Sequence, residues 1–390
     1  MPTTYLDYNA TTPLDPGVRE AMLPFLGENF GNPSSVHHVG RRARALLDDA
    51  RDRVARVWRC KPSEVVFTSG GTESVNLALF GTARRLSREG RGLHIITSAI
   101  EHHAVLHACD YLARQDGFEV TRLPVTSEGL VTVDSLRANL RPDTILVSIM
   151  AANNEIGTVQ PIADLGALCR ERGVLFHTDA VQWFGKEPFT GIHQFNADLV
   201  SVCAHKFHGP KGAGALFIQS PLLPDAIIFG GGHENERRAG TENLASIIGF
   251  AEALERFVPT PVFHQEYLLP LTRRLLSLVD KLADAGVTLR GSRELCLANT
   301  VAFTVQGCDS ISLLAGLDLE GICASSGSAC SAGSLEPSHV LLALGVPPSA
   351  ANSLVRFSLG RESTLADVQR VEAVLPHVID HAQRYQQPPN

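Results

Sequence analysis

Residues 64–86 read EVVFTSGGTESVNLALFGTARRL, and the parsing of this stretch decides the fold. EVVFTS is a short apolar run that stops at Gly70-Gly71, and TESVNLALFGTARRL behind it reads as a helix. The unit repeats outward along the chain. LHIITS (93–98), HAVLHACDYLARQ, FEVTRLPV (118–125), DTILVSIM (143–150) and IADLGALCRERG follow, and VLFHTDA (174–180), ADLVSVCA (197–204) and GALFIQ (214–219) close the series. Continuous apolar strands alternating with helices predict a mostly parallel sheet covered on both faces. In such a sheet ligands bind beyond the carboxyl ends of the strands.

The character changes after about residue 258. FVPTPVF leads into the amphipathic segment YLLPLTRRLLSLVDKLADAG, then come strands TVAFTV and LVRFSL and a final helix around 364–384. The expected organisation is a large α/β domain over 15–257 and a smaller α+β domain formed by 1–14 and 258–390. The smaller domain carries a loop over about 322–336 that includes ASSGSACSAGS (324–334). Every residue of that run except Cys330 is Ser, Ala or Gly, a composition that bends easily and packs poorly.

The 390 residues are 44% hydrophobic and 19% charged, an ordinary soluble composition, and the formal charge is −7 with no long basic run. That balance argues against nucleic acid or an anionic membrane surface as the main partner. No secretory signal and no apolar stretch of transmembrane length is visible. The eight cysteines are dispersed and form no C-x-x-C pair, so a cytoplasmic protein with reduced thiols is expected.

Polar residues cluster just after the expected strands. Gly70-Gly71 before Thr72 at a helix start can aim backbone N–H groups and a hydroxyl at a phosphate; on this motif alone, a plain glycine turn with a Thr cap is the commoner outcome. Asp179 ends a strand, where it can pair with a protonated ring nitrogen or cap a helix. Lys206, one of five lysines, follows another strand between histidines, and a partly desolvated lysine there can form a Schiff base. His102 and His103 follow a third strand, and no local zinc pattern assembles. A phosphate cradle, an acid for a ring nitrogen, an amine and an aromatic ring for stacking together describe a pyridoxal phosphate (PLP) site.

The chain resembles the cysteine desulfurases of the NifS/IscS type, within the fold-type I PLP enzymes. The resemblance runs through YLDYNATTPLDP, FGNPSS, TSGGTES, EHHAV, NNEIG, HTDAVQ, AHKFHGPKG, RRAGTEN, SSGSACSAGSLEPSHVL and RFSLGR. It implies a seven-stranded sheet in the large domain and conversion of L-cysteine to L-alanine, with the sulfur passed to Cys330 as a persulfide. By the same resemblance Lys206 carries the cofactor and takes the substrate Cα proton, His102 stacks on the ring, and Asp179 holds the ring nitrogen protonated. Gln182 meets the ring hydroxyl, while Gly71, Thr72, Cys203 and His205 surround the phosphate with Thr241 reaching in from a second subunit. Arg356 grips the substrate carboxylate with Asn154 and Asn32. A homodimer, a sulfur acceptor such as an iron–sulfur scaffold protein, and no metal are implied as well. The competing readings are a selenocysteine lyase, an aminotransferase, or a PLP-binding sulfur-relay protein active only with a partner. One departure stands out: Cys203 occupies a position where the family usually carries Ser, and a thiol is the weaker donor.

Overall fold

Strand residues that alternate between two apolar layers build the centre of the molecule. The computed structural model describes residues 3–327 and 336–386; Cys330, the expected sulfur acceptor, lies outside the described residues. The strands in chain order are β1 (Thr4–Tyr5), β2 (Val65–Thr68), β3 (His94–Ser98), β4 (Glu119–Leu123), β5 (Thr144–Ser148) and β6 (Leu175–Asp179). They continue with β7 (Leu199–Cys203), β8 (Gly214–Ile218), β9 (Val287–Arg290), β10 (Thr300–Val305), β11 (Ile322–Cys323) and β12 (Val355–Ser358).

Seven of these form one sheet in the order β2-β8-β7-β6-β5-β3-β4. It is parallel from β4 through to β7, and β8 runs antiparallel to both of its neighbours. Every residue of β2, β3, β5, β7 and β8 is buried, because helices cover both faces. Val66, Ile95, Leu146 and Leu199 pack with Val75, Leu79, Val105 and Leu112 on one side. Their sequence neighbours Val65, Ile96, Val147 and Val200 face the other side, against Leu47, Val54, Leu165 and Phe250. The period of two along each strand therefore feeds two separate cores.

This topology opens a crevice at one place. From β3 the chain pairs β4 on one side and β5, β6 and β7 on the other, so the loops leaving β3 and β5 diverge. The carboxyl ends of β2, β3, β5, β6 and β7 all lie on that edge, since β2 is antiparallel to β8 and β8 to β7. A separate antiparallel sheet, β12-β10-β9, carries Arg356, and β1 pairs in parallel with β11. The N-terminal segment thus runs beside the C-terminal elements: Leu6 donates its N–H to the Cys323 carbonyl and Ser358 donates to that of Leu6. Cys323 is half-buried on β11.

Candidate active site

The crevice is a cavity of about 260 Å³ in which segments from eight parts of the chain meet. Behind β2 the chain turns through Gly70 into a helix at Gly71, and a Cβ on Gly71 would sit 2.8 Å from Val181 Cγ2. Only glycine lets this turn lie against the β6 loop, which leaves the first helical N–H groups and Thr72 facing the cavity. Cys203 ends β7 just beneath, 1% exposed, with the Gly71 backbone N–H directed at its sulfur. Burial pushes its thiol up to about 11, so it enters the site as a neutral group.

Lys206 sits on the single 3-10 turn that follows β7. Its Nζ donates to the carbonyls of Asn9 (2.7 Å) and Ala10 (2.8 Å), and burial lowers its pKa from the ordinary lysine value. His205 beside it shares a hydrogen bond with Thr11 Oγ1 at 3.2 Å and is held down to about 4 by burial and the neighbouring Lys206. His102 caps the helix His103–Asp116, its Nδ1 accepting from the Ala104 N–H at 3.1 Å. That cap fixes the tautomer with hydrogen on Nε2, and burial together with Lys206 pushes the ring down to about 4, so it is neutral near pH 7. At the end of β6, Asp179 Oδ1 accepts from the Val181 N–H at 3.0 Å, and burial raises the carboxyl to about 6.

The opposite wall belongs to Arg356 on β12, which is 1% exposed. Its Nη1 donates to the carbonyls of Asn154 (2.6 Å) and Gly327 (2.7 Å), and its Nη2 pairs with Asp7 Oδ1 at 2.6 Å. Nε is buried with no partner. Asn154 is presented by an Asx turn in which Asn153 Oδ1 accepts from the N–H groups of Glu155 (2.8 Å) and Ile156 (3.0 Å). A guanidinium with an unused buried donor is poised for a planar anion such as a carboxylate.

One cavity therefore brings together Lys206, His102, Gly71, Thr72, Asp179, Gln182, Cys203, His205, Arg356 and Asn154 from the sequence reading. Two residues are not brought in. Asn32 is exposed, with its Oδ1 accepting from the Ser34 N–H at 2.8 Å, and Thr241 is exposed on the loop before the helix Leu244–Phe257. The reading also missed three buried groups around the site. Asn9 lines the cavity, Glu101 immediately precedes His102, and Lys186 lies one helical turn after Gln182. Spacing is the only signal that could have found the last of these. Among the described residues no cluster of His, Cys, Asp and Glu could hold a metal ion.

The donor set fits PLP: a glycine-Thr turn for the phosphate, a buried acid, a desolvated lysine and a buried arginine line one cavity. The chain belongs to the aminotransferase class-V family, whose model matches residues 4–371. Within that family it is similar to the cysteine desulfurase IscS of Dictyoglomus turgidum, with 48% identity over 96% of this chain and 94% of the relative. The cysteine desulfurase IscS of Methanosarcina thermophila is 46% identical over 96% of this chain and 91% of its own. Among solved structures, a NifS-like protein superposes with a TM-score of 0.87 at 37% identity, covering 97% of this chain and 99% of its own. A structure described as SspA in complex with cysteine gives a TM-score of 0.80 at 35% identity, covering 93% and 100%.

Proposed function

We infer that this chain is a PLP-dependent cysteine desulfurase. One observation carries the reading: a desolvated lysine amine and a buried arginine line the same cavity, so an amino acid can be held at both ends. When bound, PLP supplies the electron sink that accepts charge from the substrate Cα. The chain supplies the rest. Gly71 and Thr72 would cradle the phosphate with His205 beside them, and Asp179 would pair with the ring nitrogen, whose positive charge would draw its carboxyl back toward the ionised form.

Arg356 orients L-cysteine by its carboxylate, with Asn154 behind it. Lys206 Nζ, lowered in pKa, would take and return the proton at the substrate Cα; His102, neutral with hydrogen on Nε2, would stack on the ring and assist that proton transfer. The Cys330 thiolate then forms an S–S bond to the substrate sulfur as the Cβ–S bond breaks. The electron pair of that bond stays on carbon, which is protonated to give alanine, and Cys330 keeps a persulfide. Gly327, three residues before Cys330, lines the cavity, which supports this assignment.

The finer parts of the reading are a homodimer, a cytoplasmic setting and delivery of sulfur from Cys330 to an acceptor protein of the iron–sulfur scaffold class. Phe30, Val36 and Phe229 stand 79%, 86% and 86% exposed on the segments that also carry Asn32 and Thr241, which supports a second copy covering them. Seven cysteines are described and all are free thiols, in keeping with a reducing compartment. Among the described residues no helix is long and apolar enough to cross a membrane. A division at about residue 257 into a larger and a smaller domain is supported by the pairing of β1 with β11.

The test is alanine and sulfide production from L-cysteine with PLP and a thiol reductant, on wild type and Cys330→Ala together. Equal yields of both products that vanish in the variant are expected. Full activity in Cys330→Ala would remove the persulfide step and favour a selenocysteine lyase.

A further inference from the structure

Lys186 is a buried lysine with no role in the chemistry above. It is 2% exposed, its Nζ lies over the Phe263 ring at 5.3 Å, and it forms no ion pair among the described residues. Its contacts are instead two amide oxygens, Asn9 Oδ1 at 2.6 Å and Gln182 Oε1 at 2.5 Å. Burial, with Lys206 and Arg356 nearby, pushes its pKa well down. A lysine in such a place costs stability unless its position serves something.

What it touches shows what that is. A glutamine amide has a donor end and an acceptor end of nearly the same shape, so its partners decide which end faces where. Gln182 Nε2 donates to the Asn9 carbonyl at 2.9 Å, and its Oε1 takes the Lys186 hydrogen bond. Reversing the amide would set oxygen against the Asn9 carbonyl and nitrogen against the lysine. The second N–H of Gln182 is thereby kept for the cavity that this residue lines. Asn9 is held by the same lysine through its side chain, and its backbone carbonyl is one of the two that hold Lys206 Nζ, at 2.7 Å.

Resting on the PLP reading above, we propose that Lys186 is a positioning residue for the cofactor: it locks the Gln182 amide so that an N–H meets the ring hydroxyl oxygen, and it steadies the carbonyl that holds Lys206. Lys186 touches neither cofactor nor substrate and acts through Gln182 and Asn9. The alternative is that it merely packs against Phe263, with its hydrogen bonds satisfying a buried amine.

A double-variant cycle read by spectroscopy separates the two. Wild type, Lys186→Met, Gln182→Leu and the double variant are prepared free of cofactor and titrated with PLP, recording the visible band and the dissociation constant; heat denaturation of each cofactor-free chain reports folding. Lys186→Met is expected to weaken PLP binding about tenfold, as for loss of one hydrogen bond to a charged group, and to shift the visible band. Gln182→Leu should do the same, and the double variant should be no worse than Gln182→Leu by more than about twofold. Lys186→Gln, which keeps a donor, should restore most of the affinity, and it replaces Lys186→Met in the cycle should the methionine variant not fold. Multiplying effects in the double variant, or an unmoved band in Lys186→Met, overturns the proposal while leaving the desulfurase reading intact. A wild type that takes up no PLP overturns both.

Discussion

The strand-end cavity and the exposed segments around residues 26–36 and 229–241 are built on opposite terms. The cationic groups in and beside the cavity are tied to neighbours: Lys206 to two carbonyls, Arg356 to three partners, and Lys186 next to it to two amide oxygens. The outer segments instead leave large apolar side chains in water, with Leu26 at 70% exposure and Phe229 at 86%. The groups of the first region find their partners within one chain, whereas the proposed second copy would cover the second. Asn32 and Thr241, which the family resemblance assigns to the site, fall in the second region.

The comparison breaks most sharply at Lys206. Lys206→Ala should abolish covalent attachment of PLP and cut alanine formation by about 10³-fold or more, the scale of a lost acid–base group. Cofactor should still enter, because the phosphate cradle remains, and absorbance before and after gel filtration distinguishes the two states. Substantial turnover in the variant would move the chemistry out of this cavity.

Arg356→Lys should lower kcat/KM for L-cysteine by roughly 10- to 100-fold, corresponding to about 1.5–3 kcal/mol for a charged hydrogen-bond partner. An ammonium can keep Asp7 but loses the planar fork. The loss is expected in KM more than in PLP affinity, because the role proposed for Arg356 is to hold the substrate carboxylate. A fall in PLP affinity with KM unchanged would place Arg356 against the cofactor instead.

At the outer segments the proposed dimer predicts a smaller effect. Thr241→Ala should weaken PLP binding by several-fold, about 1 kcal/mol for a hydrogen bond, although Thr241 does not line the cavity of its own chain. Phe229→Asp should dissociate the proposed dimer in sedimentation and lower PLP affinity to a similar extent. Wild type that sediments as a monomer, with Thr241→Ala binding PLP normally, would make the exposed apolar side chains an unrelated feature.

What could be read in advance follows the same division. The sheet was legible because strands buried on both faces are written as unbroken apolar runs, and TVAFTV is β10 residue for residue. Most of the cavity was legible because functional residues sit at strand ends, a position the pattern marks. β1 and β11 were not: two residues each, they exist only because chain ends 318 residues apart in register lie side by side, as Thr4 does with Ile322. Asn9 and Lys186 were invisible for a related reason. Asn9 is 173 residues from Gln182, and nothing local says that its carbonyl will meet that amide. Lys186 looked like any lysine near a turn; only the packing removes its water.

The dryness of the cavity edge yields the smallest prediction. Glu101 is fully buried one residue before His102; its Oε1 accepts from Ser98 Oγ at 2.5 Å and from the Met150 N–H at 3.0 Å, while Oε2 has no partner. Burial pushes this carboxyl up from 4.5 to about 8. A carboxyl whose folded pKa exceeds its unfolded value binds more protons folded, so its contribution is full below about 4.5 and is lost as pH rises through 8. Other groups impose their own slopes: Glu187, raised to about 7, has the same sign, and Lys186, lowered by burial, has the opposite one. The difference between Glu101→Gln and wild type cancels them. In the cofactor-free chain the variant should therefore gain on wild type steadily from pH 5 to 8, by a few degrees in Tm over that span, as expected when a group that must ionise is replaced by one that cannot. A pH-independent difference would mean that water reaches Glu101 and that this edge of the cavity is not dry.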